Sequence, residues 1–195
     1  ARLTELPAAI GELGALTALD LSWCSSLPAL PDAIGELGAL TELYLQGCSS
    51  LAALPAAIGE LKALTTLVLR YCSNLDELPA AIGELKALTK LDLYGCSSLA
   101  ALPDSMGKLG ALTSLNLRRC PSLTYPPKEM RGNVHKTVGF CCLNLLEGGD
   151  VSAADVRKSI MNHVITGGNF GRIDTLASKD PTFSDIVKGP KEQLE

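Results

Sequence analysis

The chain has 195 residues, 47% of them apolar but only 4% aromatic, so its core must be built from Leu, Ala and Ile rather than around a few large rings. At roughly 150 residues per domain, this length allows one domain or one domain with a small appendage. The formal charge of −4, from 17 basic and 21 acidic residues, argues against a protein that grips the nucleic-acid backbone, and no apolar run approaches the ~20 residues of a bilayer span.

The N-terminal stretch ARLTELPAAIGEL has no apolar signal core and opens in mid-pattern, which predicts an excised fragment or a processed chain. The pattern is a repeat. Leu-Pro occurs at Leu6-Pro7, Leu30-Pro31, Leu54-Pro55, Leu78-Pro79 and Leu102-Pro103, always 24 residues apart. Cys24, Cys48, Cys72, Cys96 and Cys120 keep the same step. The unit reads LPxxIGxLxALTxLxLxxCxSLxx, as in LPDAIGELGALTELYLQGCSSLAA (30–53).

In each copy, Pro at the start and Gly after Ile bracket a short helical turn: PAAIG, PDAIG, PDSMG. The LTxLxL stretch alternates as a short strand does, with Leu16, Leu19 and Leu21, or Leu40, Leu43 and Leu45, pointing inward. Ile34 and Leu37 close the interior from the turn side. One copy cannot bury its apolar stripe alone, so neighbours must stack. The expected fold is an α/β solenoid over residues 1–127, with parallel strands on the concave side and turns on the convex side. After Cys120 the pattern decays through PSLTYPPKEMRGN: Pro126 replaces Leu and Arg131 replaces Gly, as the exposed end of a stack requires.

Residues 128–195 lose the period and are expected to form a helical tail of three or four short helices. Charge splits at the same place: residues 1–126 carry 8 basic and 12 acidic groups, the remainder 9 and 9. Met130, Val134, Val138, Cys141 and Leu145 share one helical face, although Gly132 and Gly139 interrupt it. VSAADVRKSIMNHVIT lies between two Gly-Gly pairs, with Ser152 as its cap and Val156, Ile160 and Val164 on one face. Phe170, Ile173 and Leu176 suggest a third helix; Phe183, Ile186 and Val187 a fourth.

Comparing the copies with one another separates scaffold from surface. The column Thr17, Thr41, Thr65, Thr89, Thr113 never changes, whereas the outward strand columns change most. Those columns hold Asp20 and Trp23; Glu42, Tyr44 and Gln46; Val68, Arg70 and Tyr71; Lys90, Asp92 and Tyr94; Asn116, Arg118 and Arg119. Scaffold positions are uniform because every copy solves the same packing problem. The outward columns also carry Trp23, Tyr44, Tyr71 and Tyr94, residues of the type that anchors interfaces. The face runs from acidic (Asp20, Glu42) to basic (Arg70, Arg118, Arg119), which would orient a partner. Arg118 and Arg119 beside Lys90 are a candidate grip for a phosphate or phosphopeptide. Five strands at ~4.8 Å give a face of about 24 Å by 15 Å, on the order of 350 Å² and below the ~800 Å² of a standard partner footprint, so the face alone suits a peptide or a weak contact.

Other chemistry finds little support. The five repeated cysteines share an inward column and are expected as buried free thiols. Of Cys141 and Cys142, one is expected inside. A Cys141, His163, Asn162 grouping is the nearest approach to a thiol nucleophile. Gly-Gly-Asp (148–150) and Gly-Gly-Asn (167–169) lack the Lys-Ser/Thr of a phosphate loop, and no zinc or calcium spacing occurs, so no catalytic, metal or cofactor site is expected.

The period and the LxxLxLxxC core resemble the leucine-rich-repeat family. LDLYGCSSLAALPDSMGKLGALTSLNLRRC (91–120) resembles the plant-type intracellular repeats of nucleotide-binding disease-resistance receptors. It is similar also to Ras-group leucine-rich-repeat proteins, which usually carry Asn where this chain has Cys. The resemblance covers residues 1–127 and implies a cytoplasmic, non-enzymatic module that binds a protein or peptide in signalling or immune-type recognition. Two alternatives stand beside it. The array could be a spacer whose helical tail docks or dimerises, with self-association through that tail or the N-terminal end. Alternatively, because some bacterial effectors join such repeats to a ligase domain, the tail could be a fragment of an effector-like enzyme.

Overall fold

The computed structural model describes residues 3–149 and 159–165. Five three-residue strands, β1 (Ala18–Asp20), β2 (Glu42–Tyr44), β3 (Thr66–Val68), β4 (Lys90–Asp92) and β5 (Ser114–Asn116), form one parallel sheet in sequence order. The register advances by one repeat, pairing Leu19 with Leu43, Leu67, Leu91 and Leu115 in turn. Opposite each strand lies a five-residue 3₁₀ turn: Ala8–Glu12, Asp32–Glu36, Ala56–Glu60, Ala80–Glu84 and Asp104–Lys108. Pro precedes every turn at φ near −65 to −70°, the angle its ring imposes. The core between strands and turns is the predicted one in the middle of the stack: Leu40, Leu43, Leu45, Ile34 and Leu37 and their equivalents in the third and fourth copies are fully buried. In the first copy Leu16 and Leu19, expected inside, are half-buried, because no earlier copy covers them among the described residues.

The glycine of each turn has a different role from the one expected. It lies inside the turn and does not end it. A Cβ on Gly35 would come 2.7 Å from the Ala57 carbonyl oxygen, and one on Gly59 2.8 Å from that of Ala81. Glycine is there to let the next turn approach.

Three polar rows run the length of the stack. The Thr hydroxyls donate to the Thr carbonyl one repeat earlier, Thr41 to Thr17 at 2.9 Å, Thr65 to Thr41 at 3.0 Å, Thr89 to Thr65 at 3.0 Å and Thr113 to Thr89 at 3.2 Å. The constancy of that column has this cause. The repeated thiols donate likewise, Cys48 Sγ to Leu21 O at 3.2 Å and Cys96 Sγ to Leu69 O at 3.1 Å. Ser49, Ser73 and Ser97 make a third row on Ser25, Ser49 and Ser73. All seven cysteines are free; of the repeated ones Cys48, Cys72, Cys96 and Cys120 are buried, and only Cys24, in the first repeat, is no more than half-buried.

The stack is closed by α1 (Val134–Gly148), capped by the Asn133 side chain, which accepts from the His135 and Lys136 N–H groups. Met130 belongs to a separate 3₁₀ turn (Lys128–Met130), and Gly132 precedes the cap, so the predicted apolar face begins only at Val134. Gly107 faces the α1 backbone at Cys142, which places α1 where a sixth turn would stack. Cys141 and Cys142 are both buried, contrary to the expectation of one, because α1 is covered on a second side by a π-helical turn, Ile160–Ile165. Where Tyr125 enters, its hydroxyl donates to Asp104 Oδ1, and the Asn144 amide donates to that hydroxyl and to Asp104 Oδ1, the latter at 3.3 Å. Ser152 and Val156, the side chain of Val164, and the third and fourth predicted helices lie outside the described residues.

Candidate functional site

The outward columns of the strands, with the loops that follow them, form one face. At its centre two guanidinium groups meet one ring: Arg70 lies 5.0 Å and Arg119 5.5 Å from the Tyr94 ring centre. Tyr71 meets Tyr94 edge to face, centres 5.3 Å apart at 83°, and Arg70 lies 5.9 Å from Tyr71 as well. Arg70 Nε stands 4.0 Å from Asp92 Oδ2 and is buried without a hydrogen-bond partner among the described residues. Each cation–ring contact at such an accessible site is worth roughly 0.5–1 kcal/mol, enough to hold side-chain positions without fixing the fold. The cluster joins Arg70, Tyr71, Asp92, Tyr94 and Arg119, all of them candidates from the sequence.

The positions after the strands explain why the large side chains project. Trp23, Gly47, Tyr71, Gly95 and Arg119 occupy one column, and all have positive φ, between 59° and 77°. Glycine takes that conformation freely, whereas an L-residue gives up roughly 1–2 kcal/mol. Trp, Tyr and Arg hold it in alternate copies. The Trp23 ring covers Gly47, where a Cβ would come 2.8 Å from its Cζ3, and the Tyr71 ring covers Gly95, where a Cβ would come 2.8 Å from its Cδ1. Large and absent side chains alternate because each ring needs the next repeat's backbone bare. Trp23 remains 63% exposed and Tyr71 39%.

Other candidates have local work. Asp20 Oδ1 accepts the Ser22 N–H at 2.9 Å, Asp92 Oδ1 that of Tyr94 at 3.1 Å and Asn116 Oδ1 that of Arg118 at 3.3 Å. These three shape the strand exits, a role the column comparison did not reveal, although Asp or Asn two residues before a turn is its usual signal. The Ser22 side-chain and backbone hydrogen bonds lower the Asp20 pKa. Tyr44 donates to Glu42 Oε2 at 2.8 Å, and that bond raises the phenol's pKa. Val68 does not fit its expected place among the open apolar anchors: it is 7% exposed. It lies in the column of Tyr44 and Asp92, its partners in register, and its short side chain does not reach past theirs. Gln46 is half-buried and Lys90 exposed, with Ser114 opposite Lys90 in register. The pocket that Arg118 lines does not include Lys90.

The surroundings of the thiol grouping disfavour a nucleophile. Burial pushes the Cys141 thiol up to about 12, and burial followed by the charge of His135 lowers His163 to about 4. The His163 partner is His135, with Nδ1 atoms 3.1 Å apart, while Asn162 donates to Gly110 O at 2.7 Å. Among the described residues no group of three or more His, Cys, Asp or Glu side chains is placed to hold a metal, and no helix is long and apolar enough to cross a membrane.

No family model matches the chain, and no curated protein matches it. Among solved structures, a leucine-rich-repeat protein of Leptospira interrogans is 33% identical over 60% of this chain and 35% of its own, with a TM-score of 0.47. The leucine-rich-repeat domain of the type III effector XopL is 28% identical over 65% of this chain and 53% of its own, TM-score 0.49. The Arabidopsis receptor kinase HAESA, solved with a peptide hormone and a co-receptor, is 28% identical over 57% and 19%, TM-score 0.47. The chain thus spans 35% and 53% of the first two structures. Five 24-residue copies, stacked through one parallel sheet with 3₁₀ turns opposite, make this fold a leucine-rich-repeat solenoid.

Proposed function

We propose that the strand face is a binding surface for a protein or peptide, centred on Arg70, Tyr71, Tyr94 and Arg119. The observation that carries this is the cluster itself: two guanidinium groups share one tyrosine ring on the side of the sheet that the core does not use. Guanidinium and tyrosine side chains pre-placed by mutual contact lose little freedom when a partner arrives, which is what makes them strong anchors. The Tyr71 column keeps its ring in a left-handed backbone conformation that glycine would hold more easily, and this also supports a use outside the fold. Peptides selected from a displayed library against the native chain provide the test. The R70A/Y94A double variant is expected to lose about a hundredfold in affinity for them, while its melting temperature moves by only about 2–4 °C. Undiminished binding by that variant would move the site elsewhere.

A reducing, cytoplasmic compartment and a part in signalling or immune-type recognition belong to the same proposal. What supports the compartment is the row of thiols bonded to carbonyls and not to one another. What supports the process is the motif resemblance alone.

A further inference from the structure

The last repeat leaves at its edge what the earlier repeats consume. The residue after each strand donates its N–H to the next repeat: Leu21 to Tyr44 O and Leu69 to Asp92 O at 2.8 Å, Leu93 to Asn116 O at 2.9 Å. The residue two further on does the same, Tyr71 to Tyr94 O at 2.8 Å and Gly95 to Arg118 O at 2.9 Å. Leu117 and Arg119 hold these positions in the fifth repeat, and neither N–H has an acceptor among the described residues. Against this edge lies a pocket of about 480 Å³, lined by residues 115–118 and by Lys128, Arg131 and Gly132.

Three of the lining side chains are cations and none is a carboxylate. Arg118, Lys128 and Arg131 take part in no ion pair among the described residues, unlike Lys62, Lys86 and Lys108 on the turn side. Arg131 is held in place: its Nε donates to Pro126 O at 2.5 Å, which restrains the plane of the guanidinium. The decay of the repeat produces the site, since Arg131 stands where each earlier copy has its turn glycine.

We propose that this pocket binds a phosphorylated side chain of a protein partner. A phosphate dianion offers three acceptor oxygens and a charge near −2, which matches three cations that line one pocket and the open N–H of Leu117 better than a single carboxylate does. The volume leaves room for the side chain that carries it. The site touches the Arg70–Tyr94 cluster only through the backbone N–H of Arg119 and uses none of its rings.

Nuclear magnetic resonance titration of the full chain with O-phosphoserine, and with glutamate at matched ionic strength, tests the proposal. The Leu117 and Arg119 amide signals are expected to shift saturably with phosphoserine and about fivefold more weakly with glutamate. The K128Q/R131Q variant is expected to lose about fivefold in phosphoserine affinity, K128Q alone, at an exposed position, about twofold, and R70A/Y94A nothing. A response that never saturates, that is equal for glutamate, or that survives in both Lys128 variants overturns the proposal. So does a larger response to phosphatidylserine vesicles, which would make the patch a membrane contact.

Discussion

Thr41, Thr65, Thr89 and Thr113 each donate a hydroxyl to the threonine carbonyl one repeat earlier, whereas Tyr125, Asp104 and Asn144 meet once, where α1 joins the stack. The repeats stabilise themselves by rows that extend as long as copies are added. The closing segment must instead match a fixed end, and it does so with singular contacts: the Tyr125 network, the Tyr125–Phe140 ring contact at 5.8 Å, and the His135–His163 pair. In the repeats a side chain is judged against its copies. At the cap it is judged only against its neighbours.

The largest effect is expected where a row is broken in its interior. Leu67 is fully buried, with Leu43 and Leu91 beside it in register, and Leu67→Ala should remove roughly 2–5 kcal/mol of stability, read from chemical denaturation. Leu19 has the same place in the first repeat but is only half-buried, so Leu19→Ala should be clearly milder. Equal losses at both sites would mean that the copies do not act as a stack of nearest neighbours.

Between about pH 6.5 and 4 the cap should respond to acid where the repeats do not; the lowered pKa of Asp20 acts mainly below that window. The unfolded chain's imidazole takes a proton near pH 6.5, whereas His163, buried and facing His135, takes one only near 4. Between those values the unfolded state holds more protons, so stability falls as pH drops through that window and is unaffected above it. The loss by pH 4 is up to about 3 kcal/mol. Hydrogen exchange should show α1 amides losing protection while the Leu67 amide keeps it, and His163→Gln should remove the pH dependence. Uniform loss across the chain would erase the distinction between the two regions.

Legibility in the sequence follows the same division. Leu43, Ile34 and the thiol column could be assigned before any coordinates because five copies repeat the same answer. The outward columns were equally visible, yet Val68 is buried because its neighbours in register outreach it, and neighbour size is not a property of one column. Asp20, Asp92 and Asn116 look like surface charge or amide until the strand exits show them holding backbone N–H groups. In the tail, periodicity found the α1 face but extended it to Met130, because Asn133 as a cap is a local signal that a face count overlooks. The basic pocket could not be read at all: Lys128 and Arg131 come to line one pocket with Arg118 only after the chain has passed the decayed repeat.

The smallest effect concerns the polar rows. Thr65→Val keeps the branched shape that a strand favours and deletes only the hydroxyl that donates to Thr41 O at 3.0 Å. The Thr41 carbonyl still accepts the Thr65 and Thr66 N–H groups, at 2.9 and 3.1 Å, so it is not left unpaired, and the loss should be about 1 kcal/mol or a melting shift of roughly 2–4 °C. Thr17 provides the control. It begins the row, and its hydroxyl donates to no carbonyl among the described residues, so Thr17→Val should leave melting unchanged. If both substitutions were silent, the constancy of the column would come from the backbone geometry of the strand entry and not from the hydroxyl row. If both were equally damaging, the methyl and hydroxyl would matter for packing within a copy, and the row would not be what links one copy to the next.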